Sequence, residues 1–422
     1  MAKGSKNPVP ARIHGPRLAL IATTIILLAF GLVMIYSASS IVGLNEYGDS
    51  AYYFTRQLRM IAVGLIALGV AAWIPYSIWE QWFSWVAWGV LALLLVLTLA
   101  IGTEELGATR WVTIFGNSFQ PSEFAKIALM LVTAGLVVRL REQRLALNRF
   151  SQLMAVAVFV PVFLIIMQKD LGTVVIALIA VVAVLWFGEF PRTPIFAGVV
   201  ILAVIGVVSI AAEGYRQDRI TAFLDPWSDP LGSGYQIINA FYAFSDGGLF
   251  GVGLGMSRQK FLYLPEAHND FIFAIIGEEL GLVGALVIIA LFVIFLYAAF
   301  KIARNAPDLY GRVVAGTSAT IIGVQAFLNI ACVVGLAPVT GKPLPFISYG
   351  GTSIIATLIL VGLILSVSFR SHVPDSASQR RDQLLILEGG AREQRNVSSS
   401  RRRQPAPDPS IRGTNQRGGR RR

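Results

Sequence analysis

The chain has 422 residues, of which 55% are hydrophobic and only 14% charged, with a mean hydropathy of +0.66. Soluble domains carry about 25% charged residues, so the composition points to a membrane. A lone cysteine, Cys332, lies in an apolar run and excludes a disulfide framework or thiolate metal cage, and His14, His268 and His372 are too scattered for a metal cluster. The net charge of +11 does not argue for nucleic acid: residues 370–422 hold 13 arginines against 5 acids, which is +8 of that total.

Apolar runs near the ~20 residues that cross a ~30 Å hydrocarbon layer fall at 17–37, 59–75, 82–101, 123–139, 152–167, 171–188, 194–212, 271–300, 313–336 and 352–369. This predicts an all-α, polytopic membrane fold with about ten transmembrane helices. Ser37-Ala38-Ser39 is a weak cleavage signal and the run before it is long, so the first span reads as a helix and not a signal peptide. The organisation is a basic arm at 1–16, a membrane domain at 17–369 and an Arg-rich tail at 370–422. The tail's composition predicts disorder and attraction to anionic lipid head groups. Arg139, Arg141, Arg144 and Arg149 mark an inner loop, and with 189–193, 301–312 and the tail they predict both termini in the cytoplasm. Loops 102–122, 213–270 and 337–351 then face outward. The long loop 213–270 shows no clear element of its own, which marks it as functional. No strand precedes its Gly251-Val-Gly-Leu-Gly255, so tight turns against the membrane surface explain these glycines better than nucleotide binding. There is no Walker A lysine motif, which argues against an ATP-driven pump.

Leu264-Pro-Glu-Ala-His-Asn-Asp270 runs straight into an apolar helix that carries Glu278 and Glu279. A charge at bilayer depth costs several kcal/mol unless it faces protein or a wet cavity, so these acids predict a polar chamber for chemistry or transport. Asp270 has two readings, a base at the mouth of that chamber or the N-cap of a helix starting at Phe271. A helix N-terminus would lower its pKa and desolvation would raise it. Glu278 and Glu279, about 12 Å along the helix, read as structural groups hydrogen-bonded to neighbouring elements. His268 reads as a loop histidine, with a proton relay as the alternative.

Gly31-Leu-Val-Met-Ile-Tyr-Ser-Ala-Ser39, Arg110-Trp111, Gln120-Pro-Ser-Glu-Phe-Ala-Lys126, Asp170-Leu-Gly-Thr173, Asp225-Pro-Trp227 with Gly234-Tyr-Gln236, Leu264 to Glu279, and Pro338 to Gly351 form an ordered series. Together they resemble the SEDS family (shape, elongation, division and sporulation) of FtsW, RodA and SpoVE over about residues 17–369, with a lean towards the division member. The resemblance implies a peptidoglycan glycosyltransferase that polymerises lipid II at the outer face of the bacterial cytoplasmic membrane. It also implies a class B penicillin-binding protein and other divisome membrane proteins as partners. A divalent cation, Mg or Mn, is implied by the resemblance alone, with no ligand set legible.

Transfer to an acceptor hydroxyl with pyrophosphate leaving needs a base and positive charge. Asp270 matches the family's catalytic aspartate, although Asn269 stands where relatives usually carry Thr. Arg56, Arg110, Lys126 and Lys169, with Arg219 and Lys342 behind them, are candidates for the pyrophosphate site. Lys126 alternatively pairs with Glu123 at (i, i+3). Asp170, also a candidate for the substrate site, matches a Gln-Pro-Asp-Leu-Gly segment in which Lys169 replaces Pro; Lys169 either ties up Asp170 in a local pair or adds charge to the phosphate site. Ser348 and Tyr349 are expected to line the cavity, with Glu123, Glu278 and Glu279 supporting it. The rival functions are a flippase for the lipid-linked precursor and a scaffold recruiting the penicillin-binding protein. The outward placement of the motif loops and the lack of an internal repeat favour the enzyme.

Overall fold

The computed structural model describes residues 11–105, 108–114, 117–193, 195–196, 198–200 and 214–371. Eleven helices are taken from them: α1 Ala11–Tyr47, α2 Tyr52–Trp73, α3 Phe83–Ile101, α4 Pro121–Arg141, α5 Leu147–Met167, α6 Leu171–Phe187, α7 Gly214–Leu224, α8 Tyr235–Gly247, α9 Ile272–Arg304, α10 Leu309–Val333 and α11 Gly351–Arg370. A small antiparallel sheet, β1 Thr103–Glu105, β2 Ala108–Ile114 and β3 Asn117–Phe119, joins α3 to α4 in the order β1-β2-β3. Val112 pairs with Phe119 and Trp111 with Thr103.

Seven of the described helices, α1, α2, α3, α5, α9, α10 and α11, are long and apolar enough to cross a membrane. Two more of the ten expected spans are present in other form. α6 is apolar but has 17 residues. α4 opens on Glu123 and Lys126 and is buried along most of its length, so its charges meet protein and not lipid. The expected span 194–212 and the tail lie largely outside the described residues. The first helix starts at Ala11, so the end of the expected arm is helical, and the second starts at Tyr52 and not near 59. Loops 102–122 and 213–270 are also more ordered than expected, holding the sheet and α7 and α8 respectively.

α10 and α11 form the centre and are buried along most of their lengths, whereas α2 and α3 are largely exposed. At one end of the bundle the helix termini are basic and tied to one another. Arg17 donates to the Ser368 carbonyl, Arg370 to Trp73, and Arg139 to Glu80, while Arg141 and Arg312 both meet Glu189. Cations there complement the C-terminal helix dipoles of α4, α9 and α11. Asp308 caps α10 and accepts from Tyr76 at 2.7 Å. From Tyr310 to Asn329 α10 climbs about 28 Å at 1.5 Å per residue, which carries the polar cluster described below across a hydrocarbon layer's thickness.

α9 is broken at Gly281, whose φ of 68° and ψ of −169° interrupt the helix. The loop after α8 repairs the break. Leu282 and Val283 donate to the carbonyls of Gly248 and Leu249, and the carbonyls of Glu278 and Glu279 accept from Val252 and Gly253, all at 3.0–3.1 Å. A Cβ at position 281 would lie 2.4 Å from the Gly251 nitrogen and 2.5 Å from the Leu249 oxygen. Positive φ and backbone crowding together make this position intolerant of a side chain. We expect Gly281→Ala to lower the thermal midpoint of the detergent-solubilised protein by several degrees. Gly69→Ala, where nothing lies within 4 Å, should leave it unchanged or slightly raised.

Candidate functional site

Asp270 sits in the turn before α9, half-buried, at a pocket of about 170 Å³ that it shares with Phe271, Asn329, Cys332, Thr340 and Lys342. The N-cap position of α9 is Phe271, and no described group donates a hydrogen bond to the Asp270 carboxylate, so the helix-cap reading does not hold. Its backbone is fixed instead. Asn329 on α10 donates from Nδ2 to the carbonyls of both Asp270 and Lys342, at 2.8 Å each. Asn329 Oδ1 has no partner among the described residues. Gly341 leaves room beside the acid, since a Cβ there would stand 3.4 Å from Oδ2. Burial pushes the Asp270 carboxyl up to about 6, Glu266 adds to this, and Lys342, Arg219 and Arg110 pull the other way. Desolvation and Glu266 therefore outweigh the three cations.

Behind the pocket four ionisable side chains form a neutral, buried set. Lys342 Nζ lies 2.9 Å from Asp170 and 3.5 Å from Glu123, and Lys126 lies 3.0 Å from Glu123. Asp170 also accepts from Gln120 at 2.8 Å, Ser122 at 3.3 Å and Thr173 at 2.7 Å, while its other oxygen caps α6. Lys126 donates to Gln325 at 3.0 Å, and Gln325 reaches the Pro343 carbonyl at 3.1 Å. Lys126 and Lys342 are 2% and 3% exposed. Charges so buried are tolerated because each is paired and hydrogen-bonded. The expected Lys126–Glu123 pair is present, and Asp170 pairs with Lys342 and not with Lys169. Thus Lys342 gives its backbone to the Asp270 pocket while its ammonium points into the carboxylates.

The other candidates spread around this centre. Arg110 on β2 donates to the carbonyls of Gln168, at 3.4 Å, and Lys169, at 2.5 Å. Lys169 occupies a left-handed turn, φ 59°, ahead of α6. Arg219 on α7 donates to the Val339 carbonyl at 2.7 Å, and Arg56 on α2 to the Tyr52 hydroxyl at 3.4 Å. Ser348 and Tyr349 do not line the pocket. The Ser348 hydroxyl accepts from the Leu344 nitrogen and closes a turn, and Tyr349 packs on Tyr53 and His268. Burial brings His268 down to about 4, so it is neutral at pH 7.

Glu278 and Glu279 are fully buried. Glu278 accepts from Ser257 and from the Arg258 nitrogen at 2.6 Å; Glu279 accepts from Ser37 at 2.6 Å and pairs with Lys260 at 3.4 Å. Sequence reasoning missed Lys260, Asn329 and Gln325. The signal for the last two was there, because amides one helical turn apart inside an apolar span are costly unless they bind something. Among the described residues no three His, Cys, Asp or Glu side chains come together. No step is assigned to the divalent cation that the resemblance implied.

The sequence matches the profile of the FtsW/RodA/SpoVE cell cycle proteins over residues 17–372. It is 38% identical over 363 residues to the probable peptidoglycan glycosyltransferase FtsW of Geobacter sp. (strain M18), covering 85% of this chain and 98% of the relative. It is 41% identical over 357 residues to stage V sporulation protein E of Bacillus subtilis (strain 168), covering 84% and 97%. The fold is similar to a chain from a peptidoglycan synthase complex studied for its coordination of polymerization and crosslinking, with a TM-score of 0.67 at 28% identity over 84% of this chain and 98% of that one. It is also similar to the rod shape determining protein RodA of Thermus thermophilus, with a TM-score of 0.62 at 26% identity over 84% and 97%. The chain belongs to the FtsW/RodA/SpoVE family of cell cycle proteins and is a multi-pass membrane protein.

Proposed function

We propose that this chain is a peptidoglycan glycosyltransferase that extends glycan strands from lipid II, serving septal synthesis in cell division. The observation that carries the reading is the Asp270 carboxyl, half-buried at a pocket, without a described hydrogen-bond donor and with its pKa pushed up to about 6. A base is most effective when its pKa lies near the working pH. Asp270 takes the proton of an acceptor sugar hydroxyl as that oxygen bonds to the anomeric carbon of the donor. The carbon–oxygen bond to the polyprenyl pyrophosphate breaks, and the developing negative charge is stabilised by nearby cations. Arg219 and Arg110 act on Asp270 electrostatically and are assigned that task, with Lys169 and Arg56 as further candidates. Lys126 and Lys342 serve as counter-ions in the wall of the site.

The same reading sets the basic helix ends and both termini in the cytoplasm and Asp270 on the external side, in accord with the excess of Lys and Arg on short inner loops. A class B penicillin-binding protein cross-links the strands beside it. The test is reconstitution of the protein with its transpeptidase partner and labelled lipid II. Glycan polymer is the expected product; translocation of lipid II without polymer would support a flippase instead.

Because only the ionised carboxylate accepts a proton, kcat/KM should rise about tenfold per pH unit up to about 6 and then level off. Glu266→Gln removes a negative neighbour that raises the Asp270 pKa, so this limb should move to lower pH. Asn329→Ala should lower kcat on the order of 10- to 100-fold, the cost of leaving buried carbonyls without their donor. Asn329 acts through the backbone of Asp270, so its loss should leave the acid limb in place, and a pH–rate profile of each variant checks both statements.

A further inference from the structure

The Gly251-Val-Gly-Leu-Gly-Met256 run has no part in the site above, yet its geometry is specific. Gly251, Gly253 and Gly255 have φ of 82°, 108° and 80°, a region that side chains rarely adopt. The intervening Val252, Leu254 and Met256 all remain exposed, as do Leu249 and Phe250, the latter 80%. Five exposed apolar side chains on one short loop form a patch that water does not favour.

Three helices give the height of this patch. From Arg17 to Ser37 α1 rises about 30 Å at 1.5 Å per residue, and Ser37 bonds Glu279 at the level of the helix break. From Arg304 to Gly281 α9 spans about 34 Å, and from Arg370 to Gly351 α11 spans about 28 Å, by the same rise. The hydrocarbon layer is ~30 Å thick, so the break at Gly281 lies at the membrane boundary opposite the basic helix ends. Leu249 is hydrogen-bonded to Val283 at that level, and Leu282, Val283, Leu286 and Val287 of α9 are also exposed. The loop patch thus continues the outward face of a membrane-crossing helix.

We infer that residues 249–256 form a lip that inserts into the acyl chains of the leaflet at the membrane face carrying Asp270. The alternating glycines let the backbone turn while the side chains between them stay exposed. The lip is also wired to the site. Its carbonyls and amides complete α9, and the following residues Ser257 and Lys260 hold Glu278 and Glu279. Lipid contact is thereby linked to the short helical segment at whose start Asp270 sits. This assignment rests on the membrane fold and stands independently of the proposed chemistry.

The test is site-directed spin labelling of the full chain in lipid vesicles, in a Cys332→Ser background, with nitroxides at Phe250→Cys, Leu254→Cys and, as an aqueous reference, Ser228→Cys. These side chains are exposed, so the labels should not disturb packing. Power saturation with oxygen and a water-soluble nickel chelate reads the environment. Labels at 250 and 254 should collide with oxygen in preference to nickel, at a depth of about 5–10 Å, with the reverse at 228. Nickel access at 250 and 254 equal to that at 228 would overturn the inference. Exclusion of both reagents would also overturn it, by showing that a protein surface covers the loop.

Discussion

The Lys342–Asp170 ion pair is the constraint on which the site depends. An ammonium and a carboxylate in a protein interior are held in one geometry by the cost of separating them, and removing one partner of such a pair costs about 3–5 kcal/mol. Here the pair fixes the start of α6 to the loop between α10 and α11. It is joined to Glu123 and Lys126 on α4 and, through Gln325, to α10. Four elements therefore converge on one charge-neutral knot. The backbone of Lys342 is then in place to share the Asn329 amide with Asp270. Asp270 owes its position to this chain of contacts, because its own carboxylate has no described hydrogen-bond donor.

The second organising feature is the break in α9. A continuous helix would carry Asp270 well past the membrane boundary, since α9 has 33 residues and about 20 suffice to cross. Interrupting it at Gly281 separates a crossing segment from a short one that starts beside Asp270. The freed backbone groups are met by the loop after α8, whose glycines allow the approach. Glu278 and Glu279 sit just before the break and hold Ser37, Ser257 and Lys260 around it. They support the kink and lie away from the Asp270 pocket.

Much of this was legible in the sequence, because long apolar runs and acids inside them are strong signals. The crossing helices, the Asp270 mouth and the Glu123–Lys126 pair could all be read from spacing. The partner of Asp170 could not, since Lys342 lies 172 positions away and only the folded bundle brings them together. The sheet at 103–119 has strands too short to show a period, and α7 and α8 were hidden in a loop rich in Gly and Pro. Ser348 and Tyr349 were misplaced because a motif residue can serve the turn that shapes a cavity without facing it. Asn329 was overlooked although its position in an apolar span marked it.

The central claim is that the Asp270 carboxylate accepts the proton of the acceptor hydroxyl, and the Asp270→Asn variant of the reconstituted protein tests it most directly. The account expects polymer formation from lipid II to fall by about 10²–10⁴-fold, the usual contribution of a general base, with lipid II binding and thermal midpoint retained. Polymer made by this variant at the wild-type rate would contradict it.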